Sequence, residues 1–129
     1  MEAPRLLGKV AKEGTTMSSV KVSMAAPHEV QTWVENGSAM VFDVREPHEY
    51  AAGHIPGAVS NPLSQFDPRK VPHDPSRHIV LNCLSGARCG VAAQLLERAG
   101  YTGSLHRLQG GLVAWRQEGG PLENSSLEH

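Results

Sequence analysis

Short apolar runs alternate with helix-patterned segments along most of this chain. The two most apolar runs are Met40–Val44 and His78–Asn82, and shorter candidates lie at Val20–Ser23, Ala58–Val59 and Ser104–Leu108. Strands that are buried on both faces of a parallel sheet read as continuous apolar runs, and helices connect them. The alternation therefore predicts an α/β domain in which helices cover both faces of a parallel sheet. Ligands of such sheets bind at the carboxyl ends of the strands.

Residues that favour helix ends separate these runs. Pro27 suits the first position of a helix, and Asn36–Gly37 suits its end. The apolar stripe that follows predicts another helix over Cys89–Ala99, and Gly110–Gly111 opens a last one. Residues 61–77 carry four prolines, so continuous regular structure is not expected there.

Composition restricts the function classes. The chain has 129 residues, 40% of them hydrophobic, which fits one domain with one compact core. Its formal net charge of -1 argues against nucleic acid as a partner. No apolar run is long enough to span a bilayer, and the first twenty residues lack the apolar core of a signal peptide. We therefore expect no membrane association and a reducing, cytoplasmic location, which two cysteines also suit.

A cysteine follows the run His78–Asn82, at the predicted carboxyl end of its strand. Cys83 then faces the start of a helix, where unpaired N–H groups and a partial positive charge favour anions and the thiolate form. The intervening segment can form a cradle of backbone N–H groups. Its residues are Leu84, Ser85, Gly86, Ala87 and Arg88. Gly86 permits a tight turn and Arg88 adds a cation suited to an oxyanion, so the site needs no metal or other cofactor.

The chain resembles the single-domain rhodaneses, which are thiosulfate-type sulfurtransferases. The resemblance covers about residues 20–121 and rests on short pieces in a fixed order. They are Val41–Glu46, Tyr50, Gly53–Ala58, Cys83–Arg88, Ala99–Tyr101, Leu108–Gly111 and Trp115. It implies a three-layer rhodanese-like domain over residues 20–121 with a parallel sheet of about five strands. Residues 1–19 are then expected to be a flexible leader or the remnant of a longer protein, and 122–129 a tail that ends in a tag remnant at 127–129.

The resemblance also implies a function for the thiol. Cys83 is expected to be the nucleophile that takes sulfur from a small sulfur-containing anion such as thiosulfate, or from a persulfide donor, and becomes a persulfide. Leu84–Arg88 would form the loop that binds the substrate. A thiol, which includes protein thiols, or cyanide in an assay, then takes the sulfur in a ping-pong reaction.

Two other functions remain open at this point. Some rhodanese-like domains are non-catalytic binding or regulatory modules, although these lack the cysteine that is present here as Cys83. Cysteine-based phosphatases and arsenate reductases use a related loop, but they place arginine six residues after the cysteine. In this chain Arg88 is five residues after Cys83, and Asn82 stands where the tyrosine phosphatases have histidine. These spacings favour sulfur transfer over phosphatase chemistry.

Three further residues have candidate roles. Cys89 is either a resolving thiol, able to form a disulfide with Cys83, or a small residue at the start of a helix. Asp43 and Arg45 follow a predicted strand, and the resemblance favours a supporting role in which they hold the loops around the pocket. The histidines show no paired metal-ligand spacing, so no metal site is expected.

Overall fold

A computed structural model describes residues 20–124 of the chain. The strands are β1 (Val20–Ala25), β2 (Ala39–Asp43), β3 (Val59–Ser60), β4 (His78–Asn82) and β5 (Gly103–Leu108). The helices are α1 (Pro27–Glu35), α2 (Pro47–Ala52), α3 (Ala87–Arg98) and α4 (Gly111–Gln117), and Leu63–Gln65 and Pro68–Lys70 form 3-10 turns. The predicted leader 1–19 and most of the predicted tail, including 127–129, lie outside the described residues. No helix among the described residues is long and apolar enough to cross a membrane.

The five strands form one parallel sheet in the order β1-β5-β4-β2-β3. This confirms the predicted parallel sheet of about five strands. Strand β4 is central, between β5 and β2, and Leu81 of β4 is paired with Phe42 of β2. The segment that follows Asn82 therefore leaves the sheet at its centre and at the carboxyl edge, where the sequence predicts a ligand site.

Two apolar clusters cover the two faces of the sheet. The alternation of side chains along a strand sends Phe42, Leu81 and Leu105 to the face that α3 covers. The opposite face carries Val41, Val80 and Leu108 under α1 and α4. The domain is therefore a three-layer α/β structure, and the predicted layers are confirmed.

Helix α3 differs from its predicted extent. It begins at Ala87, two residues before Cys89, because Gly86 adopts a left-handed conformation with φ 117° and turns the chain directly into the helix. Arg88 and Cys89 consequently belong to the first helical turn. The thiol loop thus consists only of the residues between Cys83 and Gly86, and the helix starts closer to the thiol than the sequence indicates.

The proline-containing segment 61–77 has no continuous regular structure, as predicted, but it is held in place. The buried Asn61 side chain donates to the Asp67 carbonyl oxygen and accepts from the Asp67 N–H, at 2.9 Å in each case. Tyr101 ties the same segment to the start of β5 by donating its hydroxyl to the Pro72 carbonyl at 2.7 Å.

Candidate active site

The sulfur of Cys83 lies at the turn into α3 and accepts a hydrogen bond from the Gly86 N–H. Its side chain follows β4 and is 1% exposed. The Cys89 thiol and the backbone N–H groups of Cys89, Gly86 and Arg88 are the groups that stabilise its anion. The Gly86 nitrogen is 3.0 Å from Sγ. These donors lower the pKa of Cys83 to about 5 although burial alone would raise it. Cys83 is therefore a thiolate at neutral pH, which is the reactive form of cysteine.

The other loop residues divide by exposure. Gly86 is buried, and its left-handed backbone directs its N–H toward the sulfur. Leu84 and Ser85 are exposed in the loop, and Ala87 is exposed at the first position of α3. Of the predicted loop residues, the structure places the backbone N–H groups of Gly86 and Arg88 toward the thiol.

The start of α4 supports the loop from below. The N–H groups of Leu112 and Val113 donate to the carbonyls of Cys83 and Leu84, at 2.8 and 3.0 Å. Gly111 has φ 61°, and a β-carbon at this position would lie 2.6 Å from the Cys83 carbonyl oxygen. Glycine is required there because the two backbones approach so closely. The sequence analysis placed Gly111 at the start of a helix and in the piece Leu108–Gly111 of the resemblance, and gave it no contact with the thiol loop.

Arg88 is bound to a carboxylate that the sequence analysis missed. Its guanidinium donates to both oxygens of Glu49 in α2, at 2.8 and 3.1 Å. The Arg88 guanidinium holds the pKa of Glu49 down at about 2, and Glu49 in turn raises the pKa of Arg88. Glu49 therefore anchors the first turn of α3 to α2. Only the fold reveals this partner, because 39 residues separate the pair in the chain.

Cys89 is fully buried and lies in the first turn of α3. Its hydrogen bond to Cys83 and its burial both raise the pKa of the Cys89 thiol far above the ordinary range. Both cysteines are free thiols in this structure. At neutral pH Cys89 therefore keeps its proton and serves as a donor to Cys83. Its predicted role as a resolving nucleophile stays a prediction, and the raised pKa of its thiol does not favour that role.

Asp43 and Arg45 form a buried ion pair at the end of β2. Arg45 Nη2 donates to Asp43 Oδ2 at 2.8 Å, and the same nitrogen donates to the Gly53 carbonyl oxygen at 2.7 Å. The pair thereby ties the end of β2, the strand beside β4, to the turn after α2. This geometry is that of a structural support for the neighbouring loops. No group of three or more metal-ligating side chains occurs within residues 20–124.

The comparison with protein families matches residues 26–118 to the rhodanese-like domain. The chain is 42% identical to an uncharacterized protein of Synechocystis sp. over 96 residues, which are 74% of this chain and 53% of that protein. It is 35% identical to a sulfurtransferase of Allochromatium vinosum, over 71% of this chain and 85% of that protein. The crystal structure of a thiosulfate sulfurtransferase from Pseudomonas aeruginosa is similar with a TM-score of 0.70 at 29% identity, over 81% of this chain and 20% of that one. The chain thus spans about half the length of the Synechocystis relative.

Proposed function

This chain belongs to the rhodanese-like domain family, and from its site we propose that it transfers sulfane sulfur through a persulfide on Cys83. The observation that carries the proposal is the Cys83 sulfur, which lies at the carboxyl end of the central strand, accepts the Gly86 N–H at 3.0 Å and has its pKa lowered to about 5. Sulfurtransferase homologues support the same class of reaction. A nucleophile with a depressed pKa is what covalent sulfur transfer requires at neutral pH.

In the first step the Cys83 thiolate attacks the outer sulfur of a donor such as thiosulfate. The sulfur–sulfur bond of the donor breaks, and its electron pair leaves with sulfite. The bond that forms gives a persulfide whose outer sulfur carries negative charge. The donors that hold the thiolate, with the N-terminus of α3, then stabilise this anion as well.

In the second step an acceptor takes the outer sulfur. A thiolate, or cyanide in an assay, attacks it, and the Cys83–sulfur bond breaks to return the Cys83 thiolate. Leu84 lies in the loop and Val113 donates its N–H to the Leu84 carbonyl, and the two residues are 42% and 43% exposed. This apolar rim supports thiol acceptors that carry apolar surface, protein thiols included. We place the reaction in the cytoplasm, because a reducing compartment keeps both cysteines free.

The test uses the mass of the intact protein after incubation with thiosulfate without a reducing agent. We expect a mass gain of one sulfur atom, located on the peptide that contains Cys83, and its loss when glutathione or cyanide is added. Cys83→Ser is the matched control and gains nothing. A wild-type protein without the adduct would instead indicate a non-catalytic binding module. Hydrolysis of an aryl phosphate by the wild type, without sulfur transfer, would indicate phosphatase chemistry.

A further inference from the structure

Arg107 approaches the thiol loop from the strand next to β4. It lies in β5, on the face that α3 covers, as the burial of Leu105 in that cluster shows. Its Nη2 donates to the carbonyl oxygen of Gly86 at 2.9 Å. Gly86 therefore makes two directed bonds: its N–H donates to the Cys83 sulfur, and its carbonyl accepts from Arg107.

The guanidinium of Arg107 also lies against the backbone of α3. A β-carbon at Gly90 would lie 3.4 Å from Nη2, 3.5 Å from Cζ and 3.6 Å from Nη1. These near-equal distances place the guanidinium flat over position 90. The arginine is thus in contact with both the end of the loop and the second turn of the helix that follows.

The charge of Arg107 has no carboxylate partner among residues 20–124, and its Nε is buried without a hydrogen-bond partner. Arg88, in contrast, is held by both oxygens of Glu49. The other charged or titratable groups around the loop are Cys89 and the buried Asp43, which is itself paired with Arg45. Of the two arginines at the loop, Arg107 is the one whose positive charge is not already neutralised by a described carboxylate.

We propose that Arg107 is a positioning residue of the sulfur site, fixing the Gly86 carbonyl and supplying positive charge behind the thiolate. This inference rests on the proposed function of Cys83. The bond to Gly86 keeps the loop closed around the sulfur, so that the N–H groups of Gly86, Arg88 and Cys89 all point at it. The positive charge of Arg107 acts in this region, since it opposes the rise in the pKa of the neighbouring Cys89 thiol. Both effects favour an anion on Cys83, whether thiolate or persulfide.

The test replaces the guanidinium by an apolar side chain of similar length, in Arg107→Met. The ultraviolet absorbance of the thiolate, titrated against pH with Cys83→Ser as the blank, reports the charge state of Cys83 without any turnover. We expect the midpoint to rise by about one pH unit, and kcat/KM with thiosulfate to fall at least about tenfold. Arg98→Met removes an exposed arginine at the far end of α3 and should leave both quantities unchanged.

An unchanged midpoint in folded Arg107→Met would overturn the inference. If that variant lacks a cooperative unfolding transition, Arg107→Gln gives the same reading with a smaller change. A raised midpoint in a protein whose wild type transfers no sulfur would keep the role of Arg107 and refute the proposed function. An unchanged midpoint in Arg107→Met, with normal sulfur transfer by the wild type, would refute the role of Arg107 and keep the proposed function.

Discussion

Cys83 and Cys89 are close in the chain and buried in the same apolar cluster, but they have opposite acid–base properties. The pKa of Cys83 is lowered to about 5, whereas that of Cys89 is raised. The difference lies in the direction of their hydrogen bonds: Cys83 accepts bonds from the loop and from Cys89, and Cys89 donates. Burial therefore does not decide which thiol reacts. The arrangement of N–H groups at the end of β4 decides which of the two thiols is reactive.

The largest effect is expected from removing the sulfur of Cys83, the thiol that accepts the hydrogen bonds. Cys83→Ser should reduce sulfur transfer to the rate of the uncatalysed reaction, because a serine hydroxyl at this position keeps its proton and cannot carry sulfur. Steady-state assays with thiosulfate and cyanide measure this loss, and the thermal transition shows that the variant is folded. Substantial residual transfer by this variant would mean that Cys89, not Cys83, carries the sulfur.

The next largest effect is expected where α4 packs against the backbone of Cys83. Gly111→Ala places a β-carbon 2.6 Å from the Cys83 carbonyl oxygen, on a backbone with positive φ. We expect the free energy of unfolding to fall by at least about 3 kcal/mol, with loss of sulfur transfer. Urea titration measures the stability.

Gly57→Ala is the matched control for Gly111→Ala. Gly57 has φ 81°, but no atom lies within 4 Å of the β-carbon position. The free energy of unfolding of this variant should fall only by the cost of the left-handed conformation, about 1–2 kcal/mol. Equal losses in the two variants would show that the contact between α4 and the loop does not constrain Cys83.

A smaller effect is expected from removing the donor. Cys89→Ala deletes the hydrogen bond from the Cys89 thiol, and the pKa of Cys83 should rise by about one unit. Cys89→Ser keeps a donor and should stay near the wild type. The pH dependence of thiosulfate turnover reports this value: the wild-type rate should fall as pH drops through about 5, and the Cys89→Ala profile should move to higher pH. Identical profiles for the three proteins would contradict the donor role.

The lowered pKa of Cys83 in the wild type also makes the free energy of unfolding depend on pH. The pKa of Cys83 is lower in the folded state than the ordinary value of 9.0, so the thiolate stabilises the fold fully above pH 9. That contribution is lost as pH falls toward about 5. Relative to Cys83→Ser, the free energy of unfolding of the wild type should therefore rise as pH increases from about 5 to 9.0. Urea titration at several pH values measures this rise. A difference that does not vary with pH would contradict a thiolate in the folded state.

The smallest effect concerns oxidation. Because Cys89 keeps its proton at neutral pH, it is a poor nucleophile toward an oxidised Cys83. Mild peroxide should therefore give mainly oxygen adducts of Cys83 with Cys89 unmodified, as peptide mass spectrometry resolves. A disulfide between Cys83 and Cys89 as the main product would restore the resolving role that the sequence left open.

The sequence predicted the layers of the fold and the position of the thiol, because both depend on local patterns. Continuous apolar runs indicate β2 and β4, and the order of strand, Cys83 and helix is visible without the fold. It did not predict the bond between Glu49 and Arg88 or the approach of Arg107, because these contacts depend on which strands and helices become neighbours. The earlier start of α3 was missed because the left-handed backbone of Gly86 begins the helix before its apolar stripe does.

The contact between α4 and the thiol loop makes the site depend on a segment late in the domain. The carbonyls of Cys83 and Leu84 receive their donors from Leu112 and Val113, near the end of the domain. A nascent chain that has emerged only as far as Gln109 already contains every residue that touches the sulfur, but it lacks these donors. The backbone of the thiol loop is therefore fully hydrogen-bonded only when α4 is in place, which makes the site depend on a helix that contributes no donor to the sulfur.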